Sequence, residues 1–139
     1  MATKFLLIVD DSYFSREALA VVLRRAGYEV LSASNGTEAL AILGTIRPDL
    51  ILLDMLMPIL DGWQVLQQVK ARNFPRVPII LVTATGLSRQ WAEDHGCCGF
   101  IAKPIIPAEV LKEVRRCLEE GAPFDRPAVR YERQPASGA

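Results

Sequence analysis

The chain has one histidine, three cysteines and no excess of charge, with sixteen basic residues against sixteen acidic ones. Each scarcity removes a class of function. Cys97 and Cys98 are adjacent, Cys117 stands alone, and there is neither a C-x-x-C pair nor a second histidine. A zinc site therefore lacks its usual ligands. The three thiols read instead as small reduced residues in or near a core. Balanced charge argues against a nucleic-acid-binding surface, so no direct nucleic-acid contact is expected. No apolar run approaches the ~20 residues of a membrane span. The opening "MATKFLLIVDD" meets its acids after only five apolar residues, unlike a signal peptide. The expected setting is cytoplasmic, away from membranes. A glycine-rich phosphate loop is also missing, because "DDSYF" follows the first apolar run.

What is present suits one globular domain: 139 residues, 50% hydrophobic and 23% charged. Five short apolar runs recur at regular spacing: Phe5–Val9, Val30–Ala33, Leu50–Leu53, Ile79–Val82 and Phe100–Ala102. A segment of helical character follows each. In the first, Phe14, Ala18, Val21 and Val22 share one face and Gly27 supplies a stop. The second opens with Asn35 three before Glu38, like a capping box, and Ala39, Leu40 and Leu43 form its apolar face. In the third, after Asp61, Leu66 and Val69 share a face with Trp63. The fourth, Ser88–His95, is short and polar. The fifth has Pro107 in its first turn, then Val110, Leu111, Val114 and Leu118.

Nearly continuous apolar strands alternating with helices predict an α/β fold, (βα)5, with a five-stranded parallel sheet and helices on both faces. The domain is expected over residues 1–120. Residues 121–139, with three of the nine prolines, read as a flexible tail or a truncated linker.

The run "LLDMLMPILDG" raises a sharper question, because Asp54 is an isolated carboxylate among leucines, isoleucines and methionines. An ionised carboxylate is costly inside a core unless a cation meets it. Every other run also stops at a chemically useful group, save the second. The first ends in Asp10-Asp11, the fourth in Thr83-Ala84 and the fifth in Lys103-Pro104. In a parallel sheet these ends lie on one edge, where such folds place their sites. Three converging carboxylates repel one another, and a hard divalent cation such as Mg²⁺ resolves the conflict with oxygen ligands. Lys103 adds a positive charge suited to a phosphoryl oxygen. Together these groups describe a site that handles phosphoryl groups.

In order and spacing, "IVDDS", "LLDMLMPILDG", "VTA" and "AKPI" resemble a response-regulator receiver domain of two-component signalling, similar to the chemotaxis response regulator, across about residues 4–120. The resemblance implies a flavodoxin-like sheet of order 2-1-3-4-5. It implies that Asp54 is the phosphoacceptor, charged by a sensor histidine kinase or a histidine phosphotransfer protein. Asp11, Asp54 and the Leu56 backbone carbonyl would bind Mg²⁺, with Asp10 acting through water. Thr83, the Ala84 amide and Lys103 would hold phosphoryl oxygens, and Thr83 with Phe100 would form the switch toward a downstream protein target. A cis Lys103-Pro104 peptide is part of the same likeness.

Two features depart from the family pattern. Phe100 stands where tyrosine is frequent, and the interval from Thr83 to Lys103 is about two residues short, which clips the fourth helix. A phosphatase of the haloacid dehalogenase type is disfavoured, because Leu56 stands where its second acid belongs. Turnover is expected to stop at self-phosphorylation and slow hydrolysis of Asp54. Of the remaining residues, His95 reads as solvent-facing near a helix end, Trp63 and Trp91 as packing residues with Trp91 a possible partner contact, and Arg24-Arg25 and Arg115-Arg116 as solvated helix faces. Gly62 is expected to ease the turn after Asp61.

Overall fold

The computed structural model describes residues 3–57, 61–72, 77–84 and 86–121. Of the expected tail, residues 122–139 lie outside the described residues, as do residues 58–60 of the Asp54 motif. In chain order the elements are β1 (Phe5–Val9), α1 (Tyr13–Arg25), β2 (Glu29–Ala33), α2 (Gly36–Leu43), β3 (Leu50–Asp54), α3 (Gly62–Ala71), β4 (Ile79–Thr83), α4 (Arg89–Asp94), β5 (Gly99–Ala102) and α5 (Pro107–Glu120). All strand pairs are parallel, in the order β2-β1-β3-β4-β5.

The two faces follow from the period of two in each strand. Leu6, Ile8, Leu50, Leu52, Ile80 and Val82 point one way, toward Leu19, Ala20 and Leu23 of α1 and Val110, Val114 and Cys117 of α5. Leu7, Val9, Ile51, Leu53, Ile79 and Leu81 point the other way, toward α2, α3 and Ala92 of α4. With both faces covered, the buried polar groups of the sheet gather at the ends of the strands, in Asp10, Asp54 and Thr83. The three cysteines are buried and form no disulfide, and burial pushes the Cys97 thiol up to about 12.

Capping explains the helix starts. Ser12 accepts from the Ser15 amide and Asn35 from the Glu38 amide, while Asp61 and Gln64 form a reciprocal capping box. Glu38 differs from the predicted box, since its carboxylate turns back to the Ser34 amide at 2.6 Å. Pro107 occupies the first turn of α5, and α1 stops before Gly27, where the Tyr28 amide reaches the Leu23 carbonyl at 3.1 Å.

Several side chains lie elsewhere than the periodicity predicts. On α1 the stripe Phe14–Ala18–Val21 faces outward, with Phe14 82% exposed, and the buried set is Leu19, Ala20 and Leu23. Apolar residues circle most of this helix, so its docking angle on the sheet selects the face. On α3, Val65 and Leu66 take the core positions and Trp63 stays at the rim. His95 is half-buried, stacked on Trp91 with ring centroids 3.8 Å apart, and Trp63 meets it edge-on. Gly62 is needed for close approach more than for turning: a Cβ there would lie 2.5 Å from the Asp54 carbonyl oxygen.

The α1 assignment is checked by unfolding in urea. Leu19→Ala is expected to cost about 2–5 kcal/mol, whereas Phe14→Ala should stay within about 0.5 kcal/mol. Equal losses would place Phe14 back in the core.

Candidate functional site

Strand register assembles the site. Val9 pairs with Leu53, so Asp10 leaves β1 beside Asp54 at the end of β3. Asp54 pairs with Val82, which sets Thr83 one step further along β4, and Thr83 pairs with Ala102, which sets Lys103 beyond it. The Lys103 amide continues the ladder by donating to the Thr83 carbonyl at 3.0 Å. The site lies outside the carboxyl ends of β1 and β3, where strand order reverses.

Lys103 closes the cluster. Its Nζ donates to Asp10 Oδ2 at 2.8 Å, lies 3.5 Å from Asp54 Oδ2 and 3.4 Å from Ser15 Oγ. Burial alone would lower the Lys103 ammonium, but the hydrogen bond and charge of Asp10, then those of Asp54, outweigh it and raise it overall. Burial, reinforced by the Asp10 carboxylate, pushes the Asp54 carboxyl above its ordinary value despite Lys103. Asp10 and Asp54 are buried and Asp11 is exposed. One carboxylate oxygen from each lies within 4.8 Å of the others. Three oxygen donors at that spacing, open to solvent through Asp11, can hold a hard divalent cation. No other such group of metal-ligating side chains occurs among the described residues.

The other expected residues also gather here. Leu56 donates its amide to Asp54 Oδ1 at 3.3 Å while its side chain is 60% exposed. Thr83 is fully buried, and exposed Ala84 lines a cleft of about 430 Å³ with Phe14, Ser15, Ala18, Lys103 and Pro104. The Lys103-Pro104 peptide is cis. Phe100, opposite Leu81 on β5, is half-buried on the same face of the sheet as Thr83. The fourth helix is short, with six residues from Arg89 to Asp94.

Sequence reasoning missed Glu113. Its carboxylate Oε2 accepts from Arg89 Nη1 at 2.7 Å, from Arg116 Nη2 at 2.9 Å and from the Phe100 amide at 2.9 Å. Arg116 thus belongs to this network rather than to a solvated face, and also donates to the Cys98 carbonyl at 2.9 Å. β5 is an edge strand, so these side chains occupy backbone groups that no further strand pairs. Gly99 makes room, because a Cβ there would meet Glu113 Oε2 at 2.5 Å. The available signal was a glutamate on the stripe of Val110, Val114 and Cys117, three residues before an arginine. Also missed were Ser12, whose amide donates to Asp10 Oδ1 at 2.9 Å, and Arg16, whose Nη1 donates to the Asp10 carbonyl at 2.8 Å.

Comparisons with known proteins bear on the family and the fold. The family model described as response regulator receiver domain matches residues 6–115. The chain is 36% identical over 131 residues to the phosphate regulon transcriptional regulatory protein PhoB of Pseudomonas aeruginosa, covering 92% of this chain and 57% of that one. It is 32% identical over 116 residues to Protein PilH of the same organism, covering 81% of this chain and 96% of PilH. The solved structure of Vibrio cholerae chemotaxis protein CheY4 superposes with a TM-score of 0.75 at 33% identity, covering 83% of this chain and 98% of that one. The chain spans about half the length of transcriptional regulators such as PhoB.

The Glu113 network carries a pH signature. Burial alone would raise the Glu113 carboxyl, but Arg89, Arg116 and the Phe100 amide hold it below its ordinary 4.5. A depressed folded value stabilises above the unfolded value, and that contribution is lost as pH falls through the folded one. Glu113→Gln is therefore expected to cost about 1–3 kcal/mol at pH 7, with the deficit shrinking once pH drops below 4.5. Urea unfolding of both proteins across that range checks it; a deficit that does not change with pH would be the contrary result.

Proposed function

The chain belongs to the response regulator receiver family, and from that premise we propose that Asp54 takes a phosphoryl group from a phosphohistidine of a sensor kinase or histidine phosphotransfer protein. The observation that carries the reading is the bridge from Lys103 to Asp10 and Asp54, with Asp11 beside them at the open edge of the sheet. An oxygen of the Asp54 carboxylate attacks phosphorus, the bond from phosphorus to the donor nitrogen breaks, and the electron pair leaves with the imidazole. Asp54 must be ionised to attack, and Lys103 favours that form against burial and Asp10.

Asp11, Asp54 and the Leu56 carbonyl, with Asp10 behind them, are the groups assigned to Mg²⁺. When bound, that ion offsets the negative charge that acids and phosphoryl oxygens bring together. Lys103 faces a phosphoryl oxygen, and the Thr83 hydroxyl and Ala84 amide supply the remaining donors. Phe14, which is 82% exposed, lines the cleft that reaches Ala84 and Lys103, and the exposed Tyr13 ring meets it edge-on. This apolar surface suits a donor protein that must bring its imidazole to Asp54. Chemistry ends with self-phosphorylation and slow hydrolysis, and the output is a changed affinity for a downstream protein. Phosphorylation draws Thr83 toward the phosphoryl group, and Phe100 fills the space behind it. An inward ring is favoured by burial, on the order of 1.5–3 kcal/mol for a large side chain.

A small acyl phosphate with Mg²⁺ is expected to add one phosphoryl group to the wild type and none to Asp54→Asn, as read by intact mass. Equal labelling of the two would remove Asp54 from its role.

The switch has an optical test. Trp91 and Phe100 pack against the same core, and Trp91 stacks on His95. In a Trp63→Phe background, Mg²⁺ with beryllofluoride should change Trp91 fluorescence. Thr83→Ala should weaken the change and Asp54→Asn should abolish it. A flat signal while the mimic binds would place the output away from α4.

A further inference from the structure

Arg16 sits one turn into α1, yet its guanidinium reaches back over the site. Its Nη1 donates to the main-chain carbonyl of Asp10 at 2.8 Å, in a half-buried position. That carbonyl belongs to the peptide that joins Asp10 to Asp11. The peptide plane therefore sets the direction in which the exposed Asp11 carboxylate leaves the chain. Every other polar atom of Asp10 is also held: its amide by the Ala33 carbonyl at 3.1 Å, Oδ1 by the Ser12 amide at 2.9 Å, and Oδ2 by Lys103 at 2.8 Å. The guanidinium is itself constrained, with its central carbon 5.8 Å from the centroid of the Tyr13 ring.

We propose that Arg16 is a positioning residue for the cation site, fixing the Asp10–Asp11 peptide so that the Asp11 carboxylate converges with those of Asp10 and Asp54. This rests on the reading of those acids as a Mg²⁺ site. Groups that orient metal ligands without touching the metal commonly change its affinity strongly when removed. Arginine suits the task because its rigid planar head directs a hydrogen bond where a flexible ammonium does not. It also bonds a carbonyl here and so takes up none of the carboxylate oxygens of the cluster.

The sign of the effect separates positioning from charge. The guanidinium, bonded to the Asp10 carbonyl, is a positive charge close to the cation site and opposes the entry of another cation, so by Coulomb's law alone the loss of Arg16 would tighten Mg²⁺ binding. Positioning demands the reverse. A role confined to anchoring α1 would lower the unfolding midpoint and leave the affinity of the folded protein unchanged.

The test is calorimetric titration of the full chain with Mg²⁺, well below the unfolding temperature, for the wild type, Arg16→Ala, Arg16→Gln and Asp11→Ala. Arg16→Ala is expected to raise the Mg²⁺ dissociation constant on the order of 10-fold. Arg16→Gln, neutral but still able to donate to a carbonyl, should raise it by less, and it carries the test if the alanine variant does not fold. Asp11→Ala should lose binding. Affinity that is unchanged or tighter in the foldable Arg16 variants, with binding lost in Asp11→Ala, would overturn the role of Arg16. Unchanged affinity in Asp11→Ala would overturn the site itself.

Discussion

Two buried carboxylates, Asp10 and Asp54, leave adjacent strands side by side, and the ammonium of Lys103 is what reconciles them with a low-dielectric surrounding. Charges placed this way repel, and each loses hydration as the sheet is covered on both faces. Lys103 can answer only from the end of β5, two strands away from β3. The position of that ammonium thus depends on the register of β3, β4 and β5 and on the turn at Lys103-Pro104. The site is in this sense a consequence of sheet pairing, and a slip in one strand would separate the charges.

The same cluster holds opposing influences on Asp54. Lys103 favours the ionised form of Asp54, but burial and Asp10 still hold the carboxyl above its ordinary value. Such conflict is common where a site awaits further positive charge or a ligand. The exposed Asp11 gives solvent access to the oxygen cluster, while Phe14 and Ala18 of α1 line the cleft that reaches Lys103. A polar centre with an apolar surround suits a reaction that requires another protein to dock and then depart.

Beyond the site, Glu113 ties α4, the outer edge of β5 and α5 into one unit through a single carboxylate oxygen. A buried carboxylate with three donors is strongly held, and Phe100 lies on the backbone it anchors. The Phe100 amide is thus linked through this carboxylate to both helices. The short α4 retains a connection to the sheet through Arg89 even though it has little helix of its own.

The sequence by itself determined the alternation of strands and helices, the sidedness of α2 and α5, and the identity of the acids and the lysine that meet. These were legible because strand runs, caps and prolines are local, and because parallel strands bring their carboxyl ends to one edge whatever the details. It did not determine which side of α1 would face the sheet, since apolar residues there are spread over more than one face. It also gave Glu113 and Arg16 no role and left Arg116 reading as part of a solvated face. Each has a main-chain partner, the Phe100 amide for Glu113, the Asp10 carbonyl for Arg16 and the Cys98 carbonyl for Arg116, beside the side-chain pairs of Glu113 with Arg89 and Arg116. A main-chain partner leaves no mark in residue type, so only the tertiary structure decided where those charges act.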